Sequence, residues 1–119
     1  MSKTIKSVVS PKETFDLLDI RVGRVIRVEF EKSADKKSYR IDIDFGKYGI
    51  KTSIGRFTQH SIEDLMGKQV LGVLNFGVKD IGNAKSEVLV LGVQYPKAES
   101  GEATFVTPVC EAKLGSKLF

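Results

Sequence analysis

Residues 39–45 alternate without a break, with Tyr39, Ile41, Ile43 and Phe45 against Arg40, Asp42 and Asp44. A period of two is the mark of a strand with one wet face. Residues 20–31 read as a longer strand, with Ile20, Val22, Ile26, Val28 and Phe30 on one parity and Arg21, Gly23, Arg27, Glu29 and Glu31 on the other. Gly46-Lys47-Tyr48-Gly49 has the composition of a hairpin turn, and residues 50–54 form the returning strand. Residues 61–67 read as a short helix, with Ser61 as N-cap, Glu63 and Asp64 in the first turn and Gly67 at the stop. Residues 69–76 and 88–93 are nearly continuous apolar runs, the pattern of central strands covered on both faces. A polar loop, residues 77–85, separates them, and residues 103–109 supply a further strand. At the start, residues 1–10 form a loose, flexible arm. Residues 11–19 make a short helical turn, with Ser10 as cap, Pro11 in first position, and Phe15 and Leu18 on one face.

Three strands, a short helix and two strands is the element string of the OB-fold, a small Greek-key barrel. The expected class is therefore all-β with short helices: a five-stranded barrel with N- and C-terminal extensions. Other small barrels share the string. The domain is expected to span residues 11–119.

Length and composition agree with a single domain. The chain has 119 residues, 41% of them hydrophobic and 29% charged, enough for one core and too apolar for disorder. No apolar run approaches the roughly 18 residues of a membrane helix. No apolar stretch follows the first lysines, so a signal peptide is not expected, and the lone Cys110 cannot form an internal disulfide. The expected location is cytoplasmic. The net charge of +4 is uneven: residues 1–60 hold thirteen Lys/Arg against eight Asp/Glu, and residues 61–119 hold six against seven. A one-sided basic surface is compatible with an anionic partner such as nucleic acid, though it does not require one.

Catalysis has little to stand on. His60 is the sole histidine and Cys110 the sole cysteine, so the usual zinc sets cannot be assembled, and no metal site is expected. Ser53 and Ser61 lack a nucleophile context, and there is no glycine-rich phosphate cradle. His60 reads as a surface loop residue. Asp42 and Asp44, on the same face as Arg40, read as a solvated, salt-bridged surface, and Cys110 as a small apolar filler or bystander. The expectation is a protein that is not an enzyme and carries no cofactor.

Binding is the better prospect. OB barrels take ligands on the face of strands two and three and on the loops joining strands one and two and strands four and five. Those loops carry Lys32, Lys36, Lys37, Lys79 and Lys85, expected on one rim with Arg40, Lys51 and Arg56 nearby. Such cations can track a phosphate backbone, and Phe57 or Phe76, if exposed, can stack a base. The same lysines also serve if they only keep the barrel soluble.

Asp19-Ile20-Arg21-Val22-Gly23-Arg24-Val25 resembles the opening block of the tRNA-binding OB-domain family. The series continues through Ser33-Ala34-Asp35-Lys36, Ile43-Asp44-Phe45-Gly46, Leu65-Met66-Gly67-Lys68-Gln69-Val70 and Val73-Leu74-Asn75-Phe76. Ser86-Glu87-Val88-Leu89-Val90-Leu91-Gly92 is similar to the fifth strand of the stand-alone CsaA branch, and the blocks together cover residues 15–119. The resemblance implies tRNA as partner, recognised by shape at its outer corner. It also implies a homodimer joined through the segments flanking the barrel, of which Phe15, Leu17, Leu18, Leu114, Leu118 and Phe119 are apolar candidates. By position it makes Asn75, Lys79, Lys85 and Ser86 site residues: the lysines for phosphate, Asn75 and Ser86 for backbone or 2′-OH. The family commonly has prolines and a basic run where this chain has Gly77-Val78-Lys79-Asp80, which places a negative charge beside Lys79. Since the branch includes an export-related chaperone, the alternative is binding of unfolded or precursor polypeptides in an apolar dimer groove.

Overall fold

The structure is a computed structural model in which residues 3–119 are described. The first two residues of the expected N-terminal arm lie outside the described residues. Residues 3–10 carry no regular secondary structure and are exposed throughout.

Five strands form one antiparallel sheet: β1 (Ile20–Phe30), β2 (Tyr39–Asp44), β3 (Ile50–Gly55), β4 (Gln69–Val73) and a short fifth strand, Leu89–Val90. Their order is β3, β2, β1, β4 and then that fifth strand, with the helix α1 (Ile62–Leu65) between β3 and β4. This is the expected nearly closed OB barrel. The expected helical turn at residues 11–19 is two 3-10 turns, Pro11–Glu13 and Phe15–Leu17, and Ser10 makes no side-chain cap. Ser61 does cap α1: its Oγ accepts the Asp64 N–H at 3.1 Å.

Three local readings are corrected. The expected polar loop at residues 77–85 contains a two-stranded hairpin, β5 (Lys79–Ile81) and β6 (Ala84–Ser86). The expected single strand at residues 88–93 divides into β7, the fifth barrel strand (Leu89–Val90), and β8 (Gly92–Val93). The break follows from a change of partner. β7 pairs with β4, and β8 pairs with β9 (Thr104–Phe105), which is all that is regular of the strand expected at residues 103–109.

The third correction concerns β1. Its pairing with β2 runs Val25↔Ile43 and then Arg27↔Asp42, so Ile26 is an extra residue in a β-bulge. A bulge reverses which parity faces inward. Val25 therefore enters the barrel core while Ile26 is 40% exposed. The even positions before the bulge, Ile20 and Val22, point out of the barrel into a second apolar cluster with Leu71 and Val73 of β4. The C-terminal segment covers that cluster through Ala112 and Leu118. It runs beside β1 where β2 has ended, with Gly115 N–H to Val22 O at 2.8 Å, Val22 N–H to Ser116 O at 3.0 Å and Leu118 N–H to Ile20 O at 3.0 Å. All five residues of β4 are buried, as its unbroken apolar run implies, because the barrel core lies on one face and this second cluster on the other.

The barrel core closes over Phe45, whose ring is fully buried. It fits because Gly23 of β1 and Gly72 of β4 lack side chains: a Cβ at either would stand 2.7 Å from the ring. Buried Gln69 ties down the C-terminal segment, its amide donating to Ala112 O at 2.7 Å and accepting from Ala112 N–H at 2.8 Å.

Candidate nucleic-acid interface

The β1–β2 loop, residues 31–38, is held from within. The Glu31 carboxylate accepts the Ser33 hydroxyl at 2.6 Å and its N–H at 3.3 Å. Those bonds, the side-chain one first, hold the Glu31 carboxyl below its ordinary value of 4.5. Ser33 Oγ in turn accepts the Asn83 N–H at 2.8 Å. The β5–β6 hairpin thus folds back from the far end of β4 until its tip rests on the β1–β2 loop. Gly82 makes the contact possible: its φ is +59°, and a Cβ there would meet Ser33 O at 2.3 Å.

The stem of the hairpin rests on β3. Ile54 N–H donates to Ser86 Oγ at 3.1 Å, Glu87 N–H to Thr52 O at 2.7 Å, and Thr52 N–H to the Glu87 carboxylate at 3.0 Å. This cover explains why Ile54 is buried although its parity matches that of exposed Arg40 across the ladder. The two loops named from the sequence therefore form one continuous surface.

Lys32, Lys36 and Lys37 stand exposed on the β1–β2 loop, Lys79 on the hairpin and Arg40 on the outer face of β2. Among the described residues, none of the five has a carboxylate within ion-pair distance. The remaining candidates sit differently. Lys85 pairs with Asp80 at 2.7 Å, and the register Lys79↔Ser86 and Asp80↔Lys85 puts Lys79 and Lys85 on opposite faces of the hairpin. Lys51 lies opposite inward-facing Ile43, so it is on the other face of the sheet from Arg40. The Arg56 side chain is only 16% exposed, donating to Lys37 O at 3.3 Å and to Ser100 O and pairing with Glu99 at 3.8 Å. It ties two loops together.

Exposed Asn75 and half-buried Ser86 are likewise engaged by the protein's own backbone. Asn75 accepts the Asp19 N–H and donates to Leu17 O, both at 2.8 Å, which fastens the end of β4 to the segment before β1. Ser86 Oγ, besides accepting from Ile54, donates to Val88 O at 3.3 Å.

Of the two aromatics considered for stacking, Phe57 is buried in the core and Phe76 is 60% exposed. Sequence reasoning passed over Phe30, which is about half exposed at the mouth of the barrel. Its ring lies 4.9 Å from that of Tyr39, with the Lys37 ammonium 5.5 Å from its centroid. A Phe beside a lysine-rich loop was the available signal.

Other side chains change role. Asp42 accepts the Thr52 hydroxyl at 2.7 Å and Asp44 the Gly46 N–H at 2.8 Å, in place of the expected salt bridges with Arg40. His60 is half-buried packing, not a surface residue: Nε2 is 2.8 Å from Thr104 Oγ1 and the ring 5.0 Å from Phe105. Cys110 is exposed, which excludes the filler reading. Among the described residues no group of three or more potential ligands gathers for a metal ion.

The molecule is similar to the chaperone CsaA from Bacillus anthracis, with TM-score 0.83 and 38% identity over 94% of this chain and all of that one. It is equally similar to CsaA from Picrophilus torridus, with TM-score 0.83 and 33% identity over the same shares. In sequence it is 33% identical over 107 residues to methionine–tRNA ligase from Pyrococcus horikoshii, covering 89% of this chain. The chain spans about one seventh of that relative's length, 14%. Residues 20–117 match the family model described as "Putative tRNA binding domain", from the first core strand to the C-terminal segment that covers it. The chain belongs to that tRNA-binding-domain family.

Proposed function

We propose that the chain binds tRNA, docking its phosphate backbone across the surface where the β1–β2 loop and the β5–β6 hairpin meet. The observation that carries this reading is the junction itself. A hydrogen bond from Asn83 to Ser33 holds two loops in one surface bearing the unpaired Lys32, Lys36, Lys37 and Lys79. Fixed cations of this kind position a nucleic acid by its backbone, and their contacts release counterions. Phe30 and Phe76 offer faces for an unpaired base. The family is one of binding domains, and the relatives that match include methionine–tRNA ligases.

The active form in this reading is a homodimer. Phe15, Leu17, Val109 and Phe119, in the segments flanking the barrel, expose apolar side chains that a second copy would cover. A second reading, binding of unfolded or precursor polypeptides, is favoured by another cluster. Phe76 and Leu89 line one surface hollow and are each at least half exposed, and two relatives of known structure are named as chaperones.

Gel-shift titration with bulk tRNA at two salt concentrations tests the first reading. We expect a complex that weakens as salt rises, and further weakening on replacing Lys36, Lys37 and Lys79 together with Glu. No complex at low salt, or affinity indifferent to salt, overturns it. Light scattering decides the dimer, which a species of 13.1 kDa would exclude.

A further inference from the structure

A concavity of about 570 Å³ opens at the other end of the barrel from the lysine-bearing loop. It is formed where the β2–β3 turn meets the C-terminal segment, and Arg21, Lys47 and Lys113 contribute its charged walls. Arg21 begins β1 and the lysine loop follows its end. At about 3.3 Å per residue the strand between them is roughly 30 Å long at most, and its bulge brings the ends nearer.

Arg21 is built in. Its guanidinium stacks on Tyr48 at 4.6 Å, its Nε donates to Asp19 at 2.6 Å, and one terminal nitrogen donates to Gly115 O at 3.3 Å. Lys47 reaches the same ring from the turn, 5.6 Å from its centroid. Lys117 stands opposite Arg21 in an antiparallel bridge, so it points from the same face. Among the described residues, Lys47, Lys113 and Lys117 have no carboxylate within ion-pair distance. Of the nearby acids, Asp19 is engaged by Arg21, Glu111 by Arg24, and Asp44 by the Gly46 N–H. The Arg21 guanidinium, held flat by an aromatic ring and sharing its charge with Asp19, and the free ammonium groups of Lys47 and Lys113 line the hollow, with Lys117 beside Arg21, and together suit a tetrahedral, doubly charged oxyanion.

We propose that this concavity is a phosphate-binding site, separate from the loop surface. The phosphate comes either from the backbone of a bound RNA or from a free phosphate; the RNA source rests on the tRNA reading above, the site itself does not. A ligand bridging both sites must follow the length of β1, so a folded RNA reaches both and a mononucleotide only one.

Two measurements on the full chain and on a Lys47→Ala/Lys113→Ala variant test it. In the first, inorganic phosphate is titrated while the backbone amides are followed by heteronuclear NMR, with chloride at matched ionic strength as control. Saturable shifts at Gly46, Lys47, Gly115 and Ser116 with phosphate alone, lost in the variant, are expected. In the second, the salt slope of tRNA affinity should fall by about 2 in the variant, roughly one per lysine. Shifts without a slope change support the site with free phosphate as its source. A slope change without shifts supports it with RNA as the source. The absence of both effects overturns it. Failure of the tRNA reading shows separately, as loss of all tRNA binding with the phosphate shifts intact.

Discussion

The hydroxyl of Ser33 accepts the backbone N–H of Asn83 across fifty residues of sequence, at 2.8 Å, and so joins the two loops that carry the free lysines. Glu31 holds the Ser33 side chain from the other side, so the contact is a relay of three residues.

Ser33→Ala should therefore separate binding from stability. The substitution removes two partly exposed hydrogen bonds, the one from the Asn83 N–H and the one to the Glu31 carboxylate, and such bonds add little to stability, so thermal unfolding should shift little. The hairpin tip should loosen, giving faster hydrogen exchange at Asn83 and tRNA affinity reduced several-fold. Unchanged exchange at Asn83 would show that the tip is held by other contacts.

Asp80→Asn should tighten RNA binding. Asp80 neutralises Lys85 at 2.7 Å, and both side chains are about 70% exposed. An exposed pair of this kind contributes about 0–1 kcal/mol to stability, so the fold should be unaffected. Removing the carboxylate takes a repelling charge off the hairpin that carries Lys79, so affinity at low salt should rise. Weaker binding in a gel shift would place Asp80 in direct contact with the ligand instead.

The Glu31 carboxyl, held down by its bonds from Ser33, should titrate below 4.5 in the folded protein. A lowered folded-state value means that its contribution to loop order is complete above the unfolded value and lost as pH falls through the folded one. Carbon-detected NMR titration should place the midpoint below 4.5, and protection of the Ser33 amide should fall with it. Glu31→Gln should remove that acid limb and leave the loop equally open at neutral pH.

The bulge in β1 sets a contrast between neighbours. Val25→Ala should cost about 1.5–3 kcal/mol in urea unfolding, the worth of a buried valine side chain. Ile26→Ala, on the exposed side of the bulge, should cost about 0.5 kcal/mol or less. A larger loss at Ile26 that vanishes on dilution would show that a second copy covers it.

What the chain determines on its own is the alternation at residues 39–45, the Ser61 cap, the continuous apolar β4 and the resulting barrel. These are signals within a few residues of sequence, and they survived folding because local preference and burial agree. The lysines of the β1–β2 loop were legible for the same reason: short surface loops keep long cations in water. Tertiary structure decided the rest. A single extra residue at Ile26 reversed the facing of β1, because a period of two has no tolerance for an insertion. The hairpin buried Ile54 and separated Lys79 from Lys85 through a register that no run of residues announces. Asn75, Ser86 and Arg56 look like binding side chains in sequence, and packing turned their polar atoms toward residues 20 to 60 positions away. A polar group's role depends on which partner reaches it first. That is a property of the fold.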